Sequence, residues 1–546
     1  MITLYKNGNI HTMDNVNPGA DTIIVNENKF AYVGTQAGAE KYMESKGKAD
    51  KVVDLAGRLV IPGLNDSHMH FVHFAKSLKS VNLSGTKSIG EIKERVLERI
   101  NSRDQGDKTW IEGEGWNHDY FLDEKRFPTK FDLDEVSTEI PILVVRACCH
   151  VGSLNTAGMN AFGINKETAP SYGNLIGLLP SGEPDGTIKE SLLDTVKSKI
   201  STLNLESLKD IIDVAQHKAL AQGLTSVQSD DVGYTPNYDY DLLFQAFREL
   251  DEAGKLHIRI GEQCSLFKKP TMEGFFNEGY KYGFGTDKYR VNCLKLFTDG
   301  SLGARSALLR NPYADDSSTK GIQMFSQEEL DEVVMFSHSN NCPVAIHAIG
   351  DGAIVMCLDS IEKAQKAYPE IHLRHGIVHC QITDSHMIDR FKELDILAFV
   401  QPIFIDYDIN IIEDRVGAEL AKTSYAWKTM IDKGIHLSLG TDCPVETFNT
   451  MPNIYSAVAR KNITGENKRV YLPNERLSMN EAIHAYTYEG AYAAGEENVK
   501  GTISKGKLAD FIVLDKDLFN LQCDEEILDT HVVETYVDGQ LVYTSN

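Results

Sequence analysis

The chain has 546 residues, 42% of them hydrophobic and 25% charged, with a formal net charge of −24. That length suits several domains or one large α/β barrel with additions. The acidic excess argues against nucleic acid and anionic membrane as partners. No run of eighteen apolar residues occurs, and MITLYKNGNI lacks the basic head and apolar core of a signal peptide and reads as the first strand of a folded domain. Nine cysteines, scattered singly apart from Cys148-Cys149, fit reduced thiols and a cytoplasmic setting rather than a disulfide framework.

Residues 1–58 alternate short apolar strands with turns, in TLYKNG, TIIVNENKFAYVG and KVVDLAGRLV, and residues 499–546 have the same texture. Two small β segments at opposite ends of a chain most economically form one small sheet domain. Between them, over residues 59–498, the pattern becomes strand, loop, helix. Eight strands are predicted: RLVIPGLNDSHMH, LTSVQSDD, LHIRIGEQCS, VNCLKLFTDG, PVAIHAIGD, RHGIVHCQ, ILAFVQP and IHLSLGTDCP. Eight strand–helix units predict a parallel (β/α)8 barrel of the TIM type. The gap after the first strand is too long for one unit, so residues 74–210 are expected to hold an α/β insertion.

Chemistry in such barrels sits at the C-terminal strand ends, and most of these strands run into a residue that can bind metal or carry a proton. In NDSHMHF, His68 and His70 are two apart and share one face of a strand, within reach of one metal ion. Lys295 lies in the middle of VNCLKLF, sharing a face with Val291, Cys293 and Phe297. An isolated ammonium inside a barrel costs several kcal/mol, on the order of a buried unpaired charge. Such a lysine lowers its pKa, pairs with a carboxylate, or is modified, for instance by CO2 to an anionic carbamate able to bridge two metals. His347 ends the fifth strand in AIHAIGDGA. His375 and His379 share a face of the sixth but stand roughly 13 Å apart along it at about 3.3 Å per residue. His379, nearer the mouth, is the candidate ligand, and His375 is read as structural. Asp442 follows Gly440-Thr441 at the end of the eighth strand, with its carboxylate expected in the mouth.

Taken together, HMH, LKLFTDGSLGARS, HAIGDGA, VHCQ, GTDCPVE and KGKLADFIVLD resemble the amidohydrolase superfamily, specifically its YtcJ-like branch, which includes N-substituted formamide deformylases. The likeness extends to EGEGWNHDYF and RACCHVGSLNTAGM in the insertion. It implies a barrel with a composite β-sandwich from residues 1–58 and 499–546, and a metal-dependent hydrolase in which His68, His70, Lys295 and Asp442 bind one metal, and Lys295, His347 and His379 the second. Two zinc ions, or manganese or iron, with a carbamate on Lys295 are the implied cofactors. Metal-bound hydroxide would attack the carbonyl of a small-molecule amide, formamide or cyclic amide, with Asp442 as general base and then acid. His150 resembles a position facing the substrate, and Trp116 and Arg305 are candidates for lining it. Where the family commonly has Glu before the histidine of the sixth strand, this chain has Val378, which bears on the surroundings of the ligand rather than on ligation.

The competing readings are a mononuclear deaminase of the same superfamily, a scaffold without metals, and a phosphoesterase, although the mouth shows no concentration of Arg and Lys suited to phosphate. A homodimer is the family-level expectation.

Overall fold

The computed structural model describes residues 1–103, 106–147, 151–200, 203–463 and 469–545. Eight parallel strands form one sheet in chain order: β1 Leu64–Met69, β2 Leu224–Ser229, β3 Arg259–Ser265, β4 Tyr289–Phe297, β5 Val344–Ala348, β6 Gly376–His379, β7 Leu397–Val400 and β8 Leu437–Leu439. Nearly every residue of these strands is buried, as expected of parallel strands covered on both faces. The ladder is continuous from β1 to β8. Between those two, closure comes just past the strand ends, where Asp442 N–H donates to His68 O and His70 N–H to Cys443 O, both at 2.8 Å.

Helices follow the strands and start at the mouth. Asp384 caps the helix Ser385–Glu393 after β6 through the N–H of Met387. Asp351 begins the helix Asp351–Ala367 after β5. Among the described residues no helix is long and apolar enough to cross a membrane.

The two chain ends build two further sheets. One joins Lys29–Gly34, Thr22–Asn26, Ile2–Lys6 and Lys51–Asp54. The other runs Gln540–Thr544, Val532–Val537, Phe511–Leu514, Leu59–Pro62, Asn9–His11 and Gly19–Ala20. Tyr5, Ile23, Phe30, Val60, Phe511 and Tyr536 form a common core between them, with the Phe511 and Tyr536 rings stacked at 4.4 Å. Asp538 and Gly539 both adopt positive φ, the two-residue turn that suits a tight hairpin.

The predicted first strand is therefore two. Residues Leu59–Pro62 belong to the terminal sheet, and β1 starts only after Gly63. A Cβ at Gly63 would stand 2.1 Å from Thr225 Oγ1 of β2, so the chain passes from one sheet to the other where only glycine fits.

Residues Val72–Ile211 form a second compact unit. Its sheet has the order Ile176–Leu178, Pro184–Lys189, Val151–Leu154, Ile142–Arg146, Ile111–Trp116, Val81–Asn82. Pairing is parallel at the Val81 end and antiparallel beyond Ile142–Arg146. Alternation along ILVVR puts Ile142 and Val144 in one core with Val81, Ile92 and Trp116, and Leu143 and Val145 in another with Leu154, Ile188 and Leu193.

Candidate metal centre

The centre is built first from the seam between β1 and β8. Asp66 is wholly buried, and its carboxylate accepts from His68 N at 3.2 Å, Thr441 N at 3.0 Å and Thr441 Oγ1 at 2.6 Å. Gly440 allows this approach, since a Cβ there would meet His68 N at 2.6 Å and Asp66 Oδ1 at 2.8 Å. Asp442 then turns in with φ +59°, a left-handed conformation uncommon outside glycine. Its Oδ1 lies 3.4 Å from His68 Nε2 and 3.2 Å from His70 Nε2. One donor atom from each of these three residues falls within 4.8 Å of the others.

Hydrogen bonds on the far sides of the imidazoles orient them. His68 Nδ1 faces Gln263 Oε1 at 2.8 Å, and Gln263 Nε2 donates to Ser67 O at 3.1 Å, which fixes the amide. His70 Nδ1 faces the carbonyl of Asp230 at 3.2 Å. Both partners are acceptors, so both Nδ1 atoms carry protons and both Nε2 lone pairs face the centre. Burial, helped by the nearby Lys295 ammonium, pushes the His68 pKa down to about 3, so that imidazole is neutral. Burial works the same way on His70, but contact with Asp442 outweighs it and raises the pKa overall. Burial opposes the charge of Asp442 as well, and His68 and His70 outweigh it, holding the carboxyl well below the usual range. Two imidazole lone pairs and a carboxylate oxygen thus converge with at most one proton among them. A divalent cation suits that donor set.

Lys295 lies in β4 with no exposure. Its Nζ is 3.2 Å from His68 Nε2, 3.6 Å from Asp230 Oδ2 and 4.3 Å from the centre of the Phe297 ring. Burial lowers its pKa, while Asp230 and Asp442 pull it upward. His379, at the end of β6 with φ +79°, brings its ring to 5.9 Å from that of His68 and 4.4 Å from that of His347. Its Nδ1 is buried and has no hydrogen-bond partner among the described residues. His347 ends the row, with Nε2 at 3.1 Å from Gly300 O and 3.3 Å from Asp299 Oδ1. His68, His70, Lys295, His347, His379 and Asp442 therefore meet at one end of the barrel, though His347 is turned toward Asp299.

His375 is enclosed at the opposite end of β6, where its Nδ1 accepts Val344 N–H at 3.1 Å and its Nε2 meets His338 Nδ1 at 2.8 Å. Trp116 is wholly buried in the core of the second unit, against Phe121 and Phe127. Arg305 stands on the loop after β4 and pairs with both oxygens of Asp315, at 3.1 and 2.8 Å. His150 lies outside the described residues.

Three polar groups of the centre escaped the sequence reading. Asp230 is the first of the two aspartates that end LTSVQSDD, where a strand-end carboxylate reads equally well as a turn residue. Gln263 sits in GEQCS with no pattern to mark it. Asp299 in FTDG accepts the N–H groups of Leu308, Ile349 and Gly350 and so shapes the loops after β4 and β5.

Comparison with known proteins bears on this geometry. A family model described as "Amidohydrolase family" matches residues 51–543. The Bacillus subtilis (strain 168) protein YtcJ, which its name assigns to the amidohydrolases, is 30% identical over 100% of this chain and 99% of its own length. The N-substituted formamide deformylase of Arthrobacter pascens is 26% identical over 98% of this chain and 97% of its own. The crystal structure of an uncharacterized metal-dependent hydrolase from Pyrococcus horikoshii OT3 superposes with a TM-score of 0.78 at 30% identity, covering 96% of this chain and 99% of that one.

Proposed function

This chain belongs to the amidohydrolase family, and from that premise we propose that it hydrolyses a carbon–nitrogen bond of a small-molecule amide, formamide or cyclic amide with divalent cations held at the barrel mouth. The observation that carries the proposal is the convergence of one donor atom from each of His68, His70 and Asp442 within 4.8 Å, with Asp442 Oδ1 at 3.4 and 3.2 Å from the two Nε2 atoms. His68, His70 and Asp442 would hold one cation and His347 and His379 a second, with Lys295 as a carbamate between them. Zinc suits imidazole and carboxylate donors, and manganese or iron would also be accepted. When bound, such cations polarise a carbonyl and bring the pKa of coordinated water near neutrality.

The side chains have separable duties. Asp442, ionised and held by backbone and histidine contacts, takes the proton of the attacking water and passes it to the departing nitrogen. Gln263 and the carbonyl of Asp230 keep the lone pairs of His68 and His70 aimed inward. Asp66 keeps the loops bearing His68 and Asp442 in register. The Arthrobacter relative acts, by name, on an N-substituted formamide, which favours an acyl–nitrogen bond as the one broken.

A single-cation deaminase is the second reading. It is favoured by the turn of His347 Nε2 toward Asp299 and Gly300, which leaves the tight trio to His68, His70 and Asp442. Metal analysis together with a screen of N-formyl amines, N-acyl amines and lactams, with zinc or manganese supplied, separates the two. About two ions per chain and release of an amine support the first. One ion per chain with an unmodified lysine and release of ammonia from a heterocycle would replace it with the second.

A further inference from the structure

Asp230 stands one residue past the end of β2 and is 2% exposed. Its main chain is fixed against β1: its N–H donates to Met69 O at 3.0 Å, and its carbonyl takes the Nδ1–H of His70. Its side chain reaches into the centre, with Oδ2 at 3.6 Å from Lys295 Nζ and 3.9 Å from His70 Nδ1. The other oxygen, Oδ1, is enclosed and has no hydrogen-bond partner among the described residues.

Two neighbouring buried carboxylates are fully satisfied, whereas Glu262 on β3 also keeps one oxygen without a hydrogen-bond partner among the described residues. Asp66 takes donors on both oxygens, from His68 and Thr441. Asp299 takes backbone N–H groups from Leu308, Ile349 and Gly350. Buried carboxylates are expected to be saturated in this way, and Asp230 is not. Lys295 does not make up the difference, because 3.6 Å exceeds hydrogen-bond length and its ammonium is nearer to His68 Nε2. A buried carboxylate oxygen with no donor, on a side chain whose other oxygen approaches Lys295 Nζ and His70 Nδ1, is matched by a cation.

We propose that Asp230 is a further ligand of this centre and binds a divalent cation through Oδ1. The proposal rests on the reading of the centre given above and adds a residue to it. With Asp442 it places two carboxylates against a doubly charged ion.

The test uses the full chain, stripped with a chelator and titrated with Zn2+ against a chromophoric competitor. D230N, which keeps the shape and removes the charge, is expected to weaken Zn2+ about tenfold or more, and D230A likewise. Affinity within twofold of the parent in both variants overturns the assignment while leaving the rest of the centre standing. A parent that binds no divalent cation overturns both. Lys295→Met supplies the control for a counter-ion role: D230N is expected to weaken Zn2+ in that background by a similar factor. A loss seen only when Lys295 is present makes Asp230 the partner of the lysine and overturns the proposal. Without any variant, crystals of the parent grown with Zn2+ are expected to show an anomalous peak about 2.0–2.2 Å from Asp230 Oδ1. A peak on His68, His70 and Asp442 with both Asp230 oxygens beyond about 3 Å, well outside that coordination length, contradicts it.

Discussion

Lys295 Nζ lies 3.2 Å from Nε2 of His68, although the two residues are separated by 227 positions and sit on β4 and β1. Two groups that both bind cations as bases thus face each other, and both are buried. That contact underlies the proposed sharing of Lys295 between two ions, and it makes the lysine the most informative residue to alter. Lys295→Met keeps the length and apolar body of the side chain. It is expected to lower metal content from about two ions per chain to about one and to reduce kcat/KM at least about a hundredfold, the scale of losing one preorganised electrostatic group. Elemental analysis and steady-state kinetics on the same preparation check both. Unchanged metal content would remove Lys295 from the site.

Asp442 is proposed to move the proton, so its amide variant separates that duty from metal binding. D442N is expected to lose about 100-fold to 10,000-fold in kcat, the usual contribution of a positioned general base. The ions held by the histidines should be largely retained, and the loss should not be recovered by added zinc. Normal turnover with D442N would end the assignment.

Gly440 offers a structural test of the seam. In G440A the new methyl group meets backbone atoms of His68 at 2.6 and 2.9 Å, which a rotamer change cannot relieve. A destabilisation of about 1–3 kcal/mol is expected, typical of overpacking, together with loss of activity, because the atoms displaced lead to His68 and Asp442. Urea unfolding and activity measured together should fall in step. A stable, fully active G440A would show that the seam can yield without consequence.

The buried His338–His375 pair predicts an acid limit on stability. Burial and the adjacent His338 push the His375 pKa down to about 3, and burial lowers that of His338. Both are therefore neutral in the fold, whereas in the unfolded chain they titrate near the ordinary value of about 6.5. The unfolded state then binds more protons between those values, so the contribution to stability is intact above pH 6.5 and declines as pH falls toward 3. By pH 5 the loss from His375 amounts to about 2 kcal/mol, at 1.36 kcal/mol per unit. H375Q should flatten the unfolding midpoint between pH 6.5 and 5 relative to the parent. An identical slope would assign the acid sensitivity to other groups.

The barrel was legible because parallel strands enclosed on both faces must be apolar throughout, and runs such as ILAFV and PVAIHA stand out against polar surroundings. Polar residues at their C-terminal ends then marked the candidate centre, and His379 and His375 stand at opposite ends of β6. Other features were not legible for physical reasons. The LVIPGL of RLVIPGLNDSHMH is apolar without interruption, and only the strand pairing shows that it serves two sheets, dividing at Gly63. Asp230 could not be told from a turn aspartate, because its significance lies in the donors it lacks. Gln263 acts on His68 across 195 positions, a relationship carried by the closure of the barrel and by no local pattern.

The central claim is that a carboxylated Lys295 joins two cations at the mouth of this barrel. A crystal structure of the protein prepared with Zn2+ and bicarbonate tests it most directly. The account predicts a carboxyl group on Lys295 Nζ with an ion on each oxygen, one beside His68 and His70 and the other beside His347 and His379. A bare ammonium at Lys295 in a fully metallated protein would contradict it.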